Sequence, residues 1–387
     1  MGLEDRDALA VLRDAVIRPD AEELIGRFYT CWFAIDPPVR DLFPPDMTDQ
    51  RKVFRQVLDW VLGEFIAQRA EEPVAFLAQL GRDHRRYGVT QEHYETMAHA
   101  LYATLNSDLE EQWTDEVDDA ARQAINFIAG VMSGAAQAEP GRGWWEGTVL
   151  EHHRVSRDLA VVRLQLDSPL DYHPGQYVQV EVPQCPRRWR YLSPSIPAQP
   201  DGRIEFHVRA VSGGMVSNAV VAETRPGDVW RLSSPHGAMQ VNRDDGDILM
   251  VAGSTGLAPL RAILMDLSRY GDNPRVHLFF GARYPCELYD LQTLWEIAAN
   301  NPWLSVTPVA EYSTDPPWAA DYPDPQPPRG LHVRQTGLLP DVVTRYGGWG
   351  DRQILISGSP GMITATTAAL VAKGAPPERI QHDPTTG

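Results

Sequence analysis

Apolar residues between Leu3 and about Gln137 recur at helical spacing, with turn signals between the segments, and this predicts an all-helical first region. In DAEELIGRFYTCWFAI, Leu24, Phe28, Cys31, Trp32 and Ile35 fall on one face, with Asp20 at the N-cap position. Thr48 caps DQRKVFRQVLDWVLGEF, Pro73 opens VAFLAQLGRDHRRYG, and Gly88 and Thr90 stop one helix and start the next. AQAEPGRGWW breaks the pattern with Pro140, Gly141 and Gly143, which marks a linker. From Trp144 to about Val241 the period changes to two. LAVVRLQL, YVQVEV and IEFHVRAV read as half-buried strands, joined by HPGQY, PDGR and RPGD turns, as in a small antiparallel barrel or sandwich. From Asp247 onward DILMVAG, APLRAILMDLSRYG, RVHLFFG, LQTLWEIAAN and LSVTPV alternate strand with helix, predicting a parallel α/β sheet. STDPPWAADYPDPQPPRG interrupts that sheet with six prolines and is expected to be extended or disordered. The predicted order is a helical domain over 1–138, a linker over 139–145, an antiparallel β-barrel domain over 146–243 and an α/β domain over 244–387.

A chain of 387 residues with 43% hydrophobic content is too long for a single core, in keeping with that division. The net charge of −17 argues against nucleic acid or an anionic membrane as partner. Most of the acidic excess falls in the helical region, as expected of solvated outer faces. Cys31, Cys185 and Cys286 lie far apart with no CxxC pair, which excludes a disulfide framework, a zinc site and a four-thiolate iron–sulfur cluster. The acidic start MGLEDRDALA is unlike a signal peptide and no apolar run reaches membrane-spanning length, so a cytoplasmic location is expected.

Candidate chemistry begins in the α/β region. MVAGSTGLAPLRAIL places Gly253, Thr255 and Gly256 between an apolar strand and a helix. Backbone N–H groups there can cradle a pyrophosphate, although a tight strand-to-helix turn reads the same way. SGSPGM supplies a second strand end with Ser357 and Gly358, on the carboxyl edge where open α/β sheets bind ligands. FFGAR adds Arg283, either a ribose or phosphate contact or a surface charge.

The barrel followed by the α/β sheet resembles the ferredoxin-reductase family of flavin and nicotinamide modules. With the helical region in front, the chain resembles a flavohaemoglobin. WWEGTVLEHHRVSRDLAVVRL, YHPGQYVQVEVP and GRIEFHVRAVSGGMVSNAVV carry the most specific part of the match. The resemblance implies a globin with haem b, an FAD domain and an NAD(P)H domain, NADH being the favoured donor. It implies His84 of LGRDHRRYGV as iron ligand, on the apolar face with Leu80 and Leu77, and Tyr94 as its hydrogen-bonding neighbour. Tyr29 of RFYTCWF matches the distal tyrosine that donates to bound oxygen, and Phe43 the phenylalanine that packs on haem. Gln50, Val53 and Phe54 are further distal candidates. In RRWRYLSPS, Arg190 and Ser193 match the Arg-x-Tyr-Ser flavin motif, with Leu192 in the tyrosine's place. Strand alternation sets Tyr191 on the opposite face, so Leu192 is expected to cover the flavin. Gly213, Gly214 and Ser217 open a helix that would meet FAD phosphate or serve as a helix cap.

Departures from the family pattern are Ser254 and Ser357 in the nucleotide loops, His382 as nearest candidate for a missing terminal aromatic, and Ala121, Gln123 and Ile125 in the last globin helix. The last of these implies that Tyr94 lacks its usual carboxylate partner. The expected function is electron transfer from NAD(P)H through FAD to haem, with nitric oxide and dioxygen as substrates of a dioxygenase that forms nitrate. Oxidation of a hydroxy acid, reduction of a quinone, or haem-based gas or redox sensing are the alternatives. No obligate protein partner is expected.

Overall fold

The computed structural model describes residues 5–69, 71–319 and 332–383. The proline-rich segment falls mostly outside the described residues; its described part, up to Ala319, holds one short 3-10 turn, Pro317–Ala319. The chain divides into two compact units, Met1–Trp144 and Trp145–Gly387.

The first unit is helical: α1 (Arg6–Ile17), α2 (Ala21–Ile35), α3 (Thr48–Ile66), α4 (Glu71–His84), α5 (Gln91–Leu109) and α6 (Asp115–Ala138). Leu9, Leu12, Phe28, Val61, Leu77 and Ala100 are fully enclosed at its centre. Local chemistry sets the ends. Asp5 accepts from the Asp7 and Ala8 N–H groups, and Thr90 with His93 forms a capping box at the start of α5. Thr48 is the first residue of its helix rather than the cap, and Asp46 accepts its N–H at 3.0 Å. Asp20 stands at the cap position of α2 without a capping bond, its carboxylate being taken by Arg18 at 2.9 Å. Gly81 lets α4 lie directly against α6, since a Cβ there would meet the Met132 backbone. That close approach anchors the helix ending at His84.

The second unit opens with six strands and one helix: β1 (Trp144–Arg154), β2 (Leu159–Leu166), β3 (Val178–Glu181), β4 (Arg190–Leu192), β5 (Arg203–Arg209), α7 (Met215–Ala222) and β6 (Val229–Ser233). Their order is β4-β3-β6-β1-β2-β5, and the pairings β1–β2, β2–β5, β3–β4 and β3–β6 are antiparallel. A bridge between Pro194 and Phe206 joins the two edge strands and closes the sheet into a barrel. Val162, Leu164, Val178, Val180, Phe206 and Trp230 fill it.

The chain continues as β7 (Ile248–Gly253), α8 (Leu257–Leu267), β8 (Val276–Ala282), α9 (Leu291–Asn300), β9 (Leu304–Ala310), β10 (Gln335–Thr336), α10 (Leu339–Arg345), β11 (Gln353–Ser357), α11 (Pro360–Ala372) and β12 (Ile380–Gln381). These strands form an all-parallel sheet in the order β10-β9-β8-β7-β11-β12. The order reverses between β7 and β11, so the crevice of the open sheet lies at their carboxyl ends.

Candidate functional site

His84 ends α4 and turns its Nδ1 to the Leu80 carbonyl at 2.7 Å. A carbonyl only accepts, so Nδ1 carries the proton and the Nε2 lone pair is left for a metal. Burial lowers its pKa to about 4, which keeps the ring neutral. The Tyr94 ring stands edge-on to it, centroids 6.4 Å apart. A neutral imidazole with a committed Nδ1–H is the donor that haem iron requires, so the residues fit that group.

The Tyr94 hydroxyl is buried without a hydrogen-bond partner and lines a 360 Å³ cavity with Arg85, Thr90, Ser133, Ala136 and Gln137. Among the described residues, no carboxylate lines that cavity. The α6 residues beside Tyr94 are therefore Ser133, Ala136 and Gln137. Ala121 and Ile125 instead face Leu12, Val16, Leu58 and Leu62, roughly three helical turns earlier.

Tyr29 is 2% exposed and lies among Phe28, Phe33, Phe43 and Phe54, the Phe43 ring standing edge-on at 5.5 Å. Phe43 is fixed by Arg40, which donates to the Phe43 and Pro44 carbonyls at 3.1 Å. Gln50 Nε2 donates to the Tyr29 hydroxyl at 3.2 Å, so the tyrosine's own proton is available to a further acceptor. Burial raises the Tyr29 pKa and keeps that proton on. Of the further distal candidates, Gln50 reaches Tyr29 and Phe54 stacks on Phe28 at 4.8 Å, but Val53 is 53% exposed and points away.

In the barrel, β4 turns Leu192 and Tyr191 to opposite faces. Leu192 pairs with Val178 and Arg190 with Val180, and those valines face the barrel interior. Leu192 is half-buried and packs against the core, while Arg190 on the same face is exposed. Tyr191 takes the open face, 51% exposed, edge-on to Tyr177 at 5.1 Å. Tyr177 packs in turn on the His236 ring at 5.9 Å, and Gly237 fits closely beneath Tyr177. Arg190 is exposed at the same edge and Ser193 follows it. Among the described residues, Asp383 also lies near this surface: its Oδ1 is buried without a partner close to Gly237, and burial raises its pKa to about 6. The Ser217 hydroxyl accepts from the Val211 N–H at 3.3 Å and donates to the Gly214 carbonyl at 3.1 Å, which ties the preceding loop to the start of α7. Gly213, at φ +76°, leaves open space beside it. If the open aromatic pair is the flavin surface, Tyr191→Ala should lower FAD affinity about tenfold or more by equilibrium dialysis, given the usual worth of an aromatic stack. Leu192→Ala should instead lower thermal stability at unchanged affinity in the folded fraction.

The two glycine loops meet. A Cβ on Gly256 would strike the Ser357 carbonyl and the Gly358 N, and one on Gly253 or Gly358 would strike the Met362 methyl. Ser254 adopts φ +52°, the left-handed region that costs a non-glycine residue energy, and its Oγ is buried without a partner. Strain and an orphaned hydroxyl at the mouth of a crevice fit an anionic ligand. Thr255 lies partly exposed between them. Arg283, exposed past the end of β8, approaches the Tyr284 and Tyr312 rings at 5.6 and 5.8 Å, and those rings stack 5.1 Å apart. Among the described residues there is no cluster of metal-ligating side chains and no helix long and apolar enough to cross a membrane.

These features define an FAD- and NAD-binding oxidoreductase fused to a globin. The globin family matches residues 26–132, the oxidoreductase FAD-binding domain 146–241 and the oxidoreductase NAD-binding domain 250–368. The reductase component of the naphthalene 1,2-dioxygenase/salicylate 5-hydroxylase systems of a Ralstonia species is 32% identical over 244 residues, 62% of this chain and 68% of that protein. The reductase subunit of an aromatic O-demethylase from an Amycolatopsis species is 30% identical, over 61% of this chain and 67% of that one. The crystal structure of a flavohaemoglobin from Malassezia yamatoensis shares the fold over 99% of both chains, with a TM-score of 0.67 at 13% identity. The chain belongs to the ferredoxin-reductase family, as a divergent member with the domain order of a flavohaemoglobin. Its cofactors are haem, FAD and a nicotinamide dinucleotide.

Proposed function

We propose that this protein takes hydride from NADH, passes electrons through FAD to haem, and oxidises nitric oxide to nitrate with dioxygen. The single observation that carries the reading is the presence of all three modules in one chain, with a neutral His84 in the globin. Bound FAD would couple a two-electron donor to one-electron transfer, and haem would supply an iron site for the two gases. The chain's own residues do the rest. His84 offers Nε2 to the iron, oriented by Leu80. Tyr29 holds a proton toward the distal side, kept in place by the Gln50 amide. Arg190, Ser193, Tyr191 and Tyr177 form the flavin surface, and Gly253, Thr255, Gly256, Ser357 and Gly358 form the nicotinamide crevice, with Arg283 toward the ribose.

Anaerobic NADH should bleach the flavin bands and shift the haem spectrum to its reduced form. Aerobic turnover with nitric oxide should yield nitrate in step with NADH consumed. Haem that stays oxidised beside reduced flavin overturns the electron route, and nitrate at background rate removes the dioxygenase. A second reading keeps the cofactors and changes the acceptor or substrate to a quinone or a hydroxy acid. It is favoured by the solitary Tyr94 hydroxyl, because no carboxylate among the described residues beside it strengthens the electron donation of His84.

A further inference from the structure

The strand β5 is buried on both faces. Ile204, Phe206 and Val208 point into the barrel, whereas Glu205, His207 and Arg209 alternate on the other side. That polar side meets the α/β domain. Glu205, 3% exposed, takes four donors on two oxygens: Arg163 Nε at 2.6 Å on Oε2, and the Ser195 hydroxyl at 2.7 Å, His207 Nε2 at 3.1 Å and Arg261 Nη1 at 3.1 Å on Oε1. Burial acts to raise its pKa, but the bonds from His207, Arg163 and Ser195 and the charge of Arg261 outweigh it and hold the group ionised. Arg261 also donates to the Ser195 carbonyl at 2.8 Å and sets its Nε 2.7 Å from the Asp290 carboxylate. His207 Nδ1 accepts from the Tyr289 hydroxyl at 2.8 Å.

The placement of these groups in the chain gives the cluster its meaning. Arg261 lies one turn into α8, the helix that leaves the Gly253–Gly256 loop. Ser195 follows Ser193 of the flavin motif by two residues. Ile263 of α8 meets the barrel again at Gly175, where a Cβ would sit 3.1 Å from its Cδ1. We infer that Glu205 and Arg261 are positioning residues that fix the nicotinamide helix against the flavin strand, and so set the alignment for hydride transfer without touching either cofactor. This rests on the NADH-to-FAD part of the proposed function. Misalignment of about 1 Å costs a reacting pair up to about 100-fold.

The test uses the full-length, FAD-loaded protein. Glu205→Gln keeps the shape and removes the charge. Asp290→Asn loosens Arg261 from the other side without altering the barrel, and covers the case in which the first variant folds poorly. Each should slow flavin reduction by saturating NADH about tenfold or more. Bound FAD, flavin midpoint potential and the affinity for NAD+ should match wild type. Deuterium uptake, measured without nucleotide, should rise over 257–267 and stay unchanged over 159–166. Flavin reduction within about twofold of wild type in a folded variant, or unchanged uptake over 257–267, overturns the inference. If wild-type flavin is not reduced by NADH at all, the donor reading fails, and uptake still decides whether the carboxylate holds the helix.

Discussion

His84→Ala protein should purify with FAD but with at least about tenfold less haem per chain than wild type, measured by pyridine haemochrome and the lost Soret band. The helical unit holds three histidines, His84, His93 and His99, and the structure separates them. His93 Nδ1 accepts the Thr90 N–H at 3.0 Å as part of a helix cap, and its Nε2 lies 3.9 Å from Asp36. His99 is exposed. Only His84 combines burial enough to stay neutral with a free Nε2. His93→Ala should therefore retain haem and lose only the stability of a cap, about 0.5–2 kcal/mol. Imidazole added to the His84→Ala protein should restore part of the Soret band by filling the space the ring leaves. Wild-type haem content in that variant would place the iron elsewhere.

Gly256→Ala should abolish most NADH-driven flavin reduction, by about 100-fold, while dithionite reduces the same flavin normally. The new methyl group would have backbone on two sides, the Ser357 carbonyl and the Gly358 N, and neither can rotate away as a side-chain end could. The loops must part to admit it, at a folding cost of about 1–3 kcal/mol. An anaerobic stopped-flow trace separates the two effects, since a folding defect lowers amplitude and a displaced crevice lowers rate. An unchanged rate at full amplitude would mean that the nicotinamide binds away from this junction.

The strands and helices with strict periods were legible in the sequence: LAVVRLQL is β2 and LQTLWEIAAN is α9 residue for residue. The two glycine loops were legible for the same reason, because an apolar strand running into a glycine turn has few other meanings. Face assignments were less legible. The alternation in RRWRYLSPS shows that Leu192 and Tyr191 face opposite ways, but the pairing partners Val178 and Gln179 decide which way is inward. IEFHVRAV read as half-exposed because Glu205 and His207 are polar, and only the approach of α8 reveals a second buried face. A signal was present: three charged or polar residues on alternate positions of an apolar strand, with Arg261 on the helix after the loop. The last globin helix is less legible for a different reason. A regular helix offers no internal mark of register, so the sequence does not separate Ala121 and Ile125 from Ser133 and Gln137, which stand beside Tyr94.

The strand order also bears on how the protein is made. All pairings of the barrel, including the bridge from Tyr177 to His236, lie between Trp144 and His236, so the barrel can close as soon as that segment has left the ribosome. The nicotinamide crevice cannot, because β7 waits for β11, which follows three other strands in the chain. Parallel pairing across so long a stretch is slow to form. A nascent chain would thus hold a completed flavin barrel beside an unfinished sheet whose apolar β7 edge, Ile248 to Ala252, is exposed to wrong partners. FAD captured at that stage would hold the barrel shut while the rest of the sheet assembles beside it.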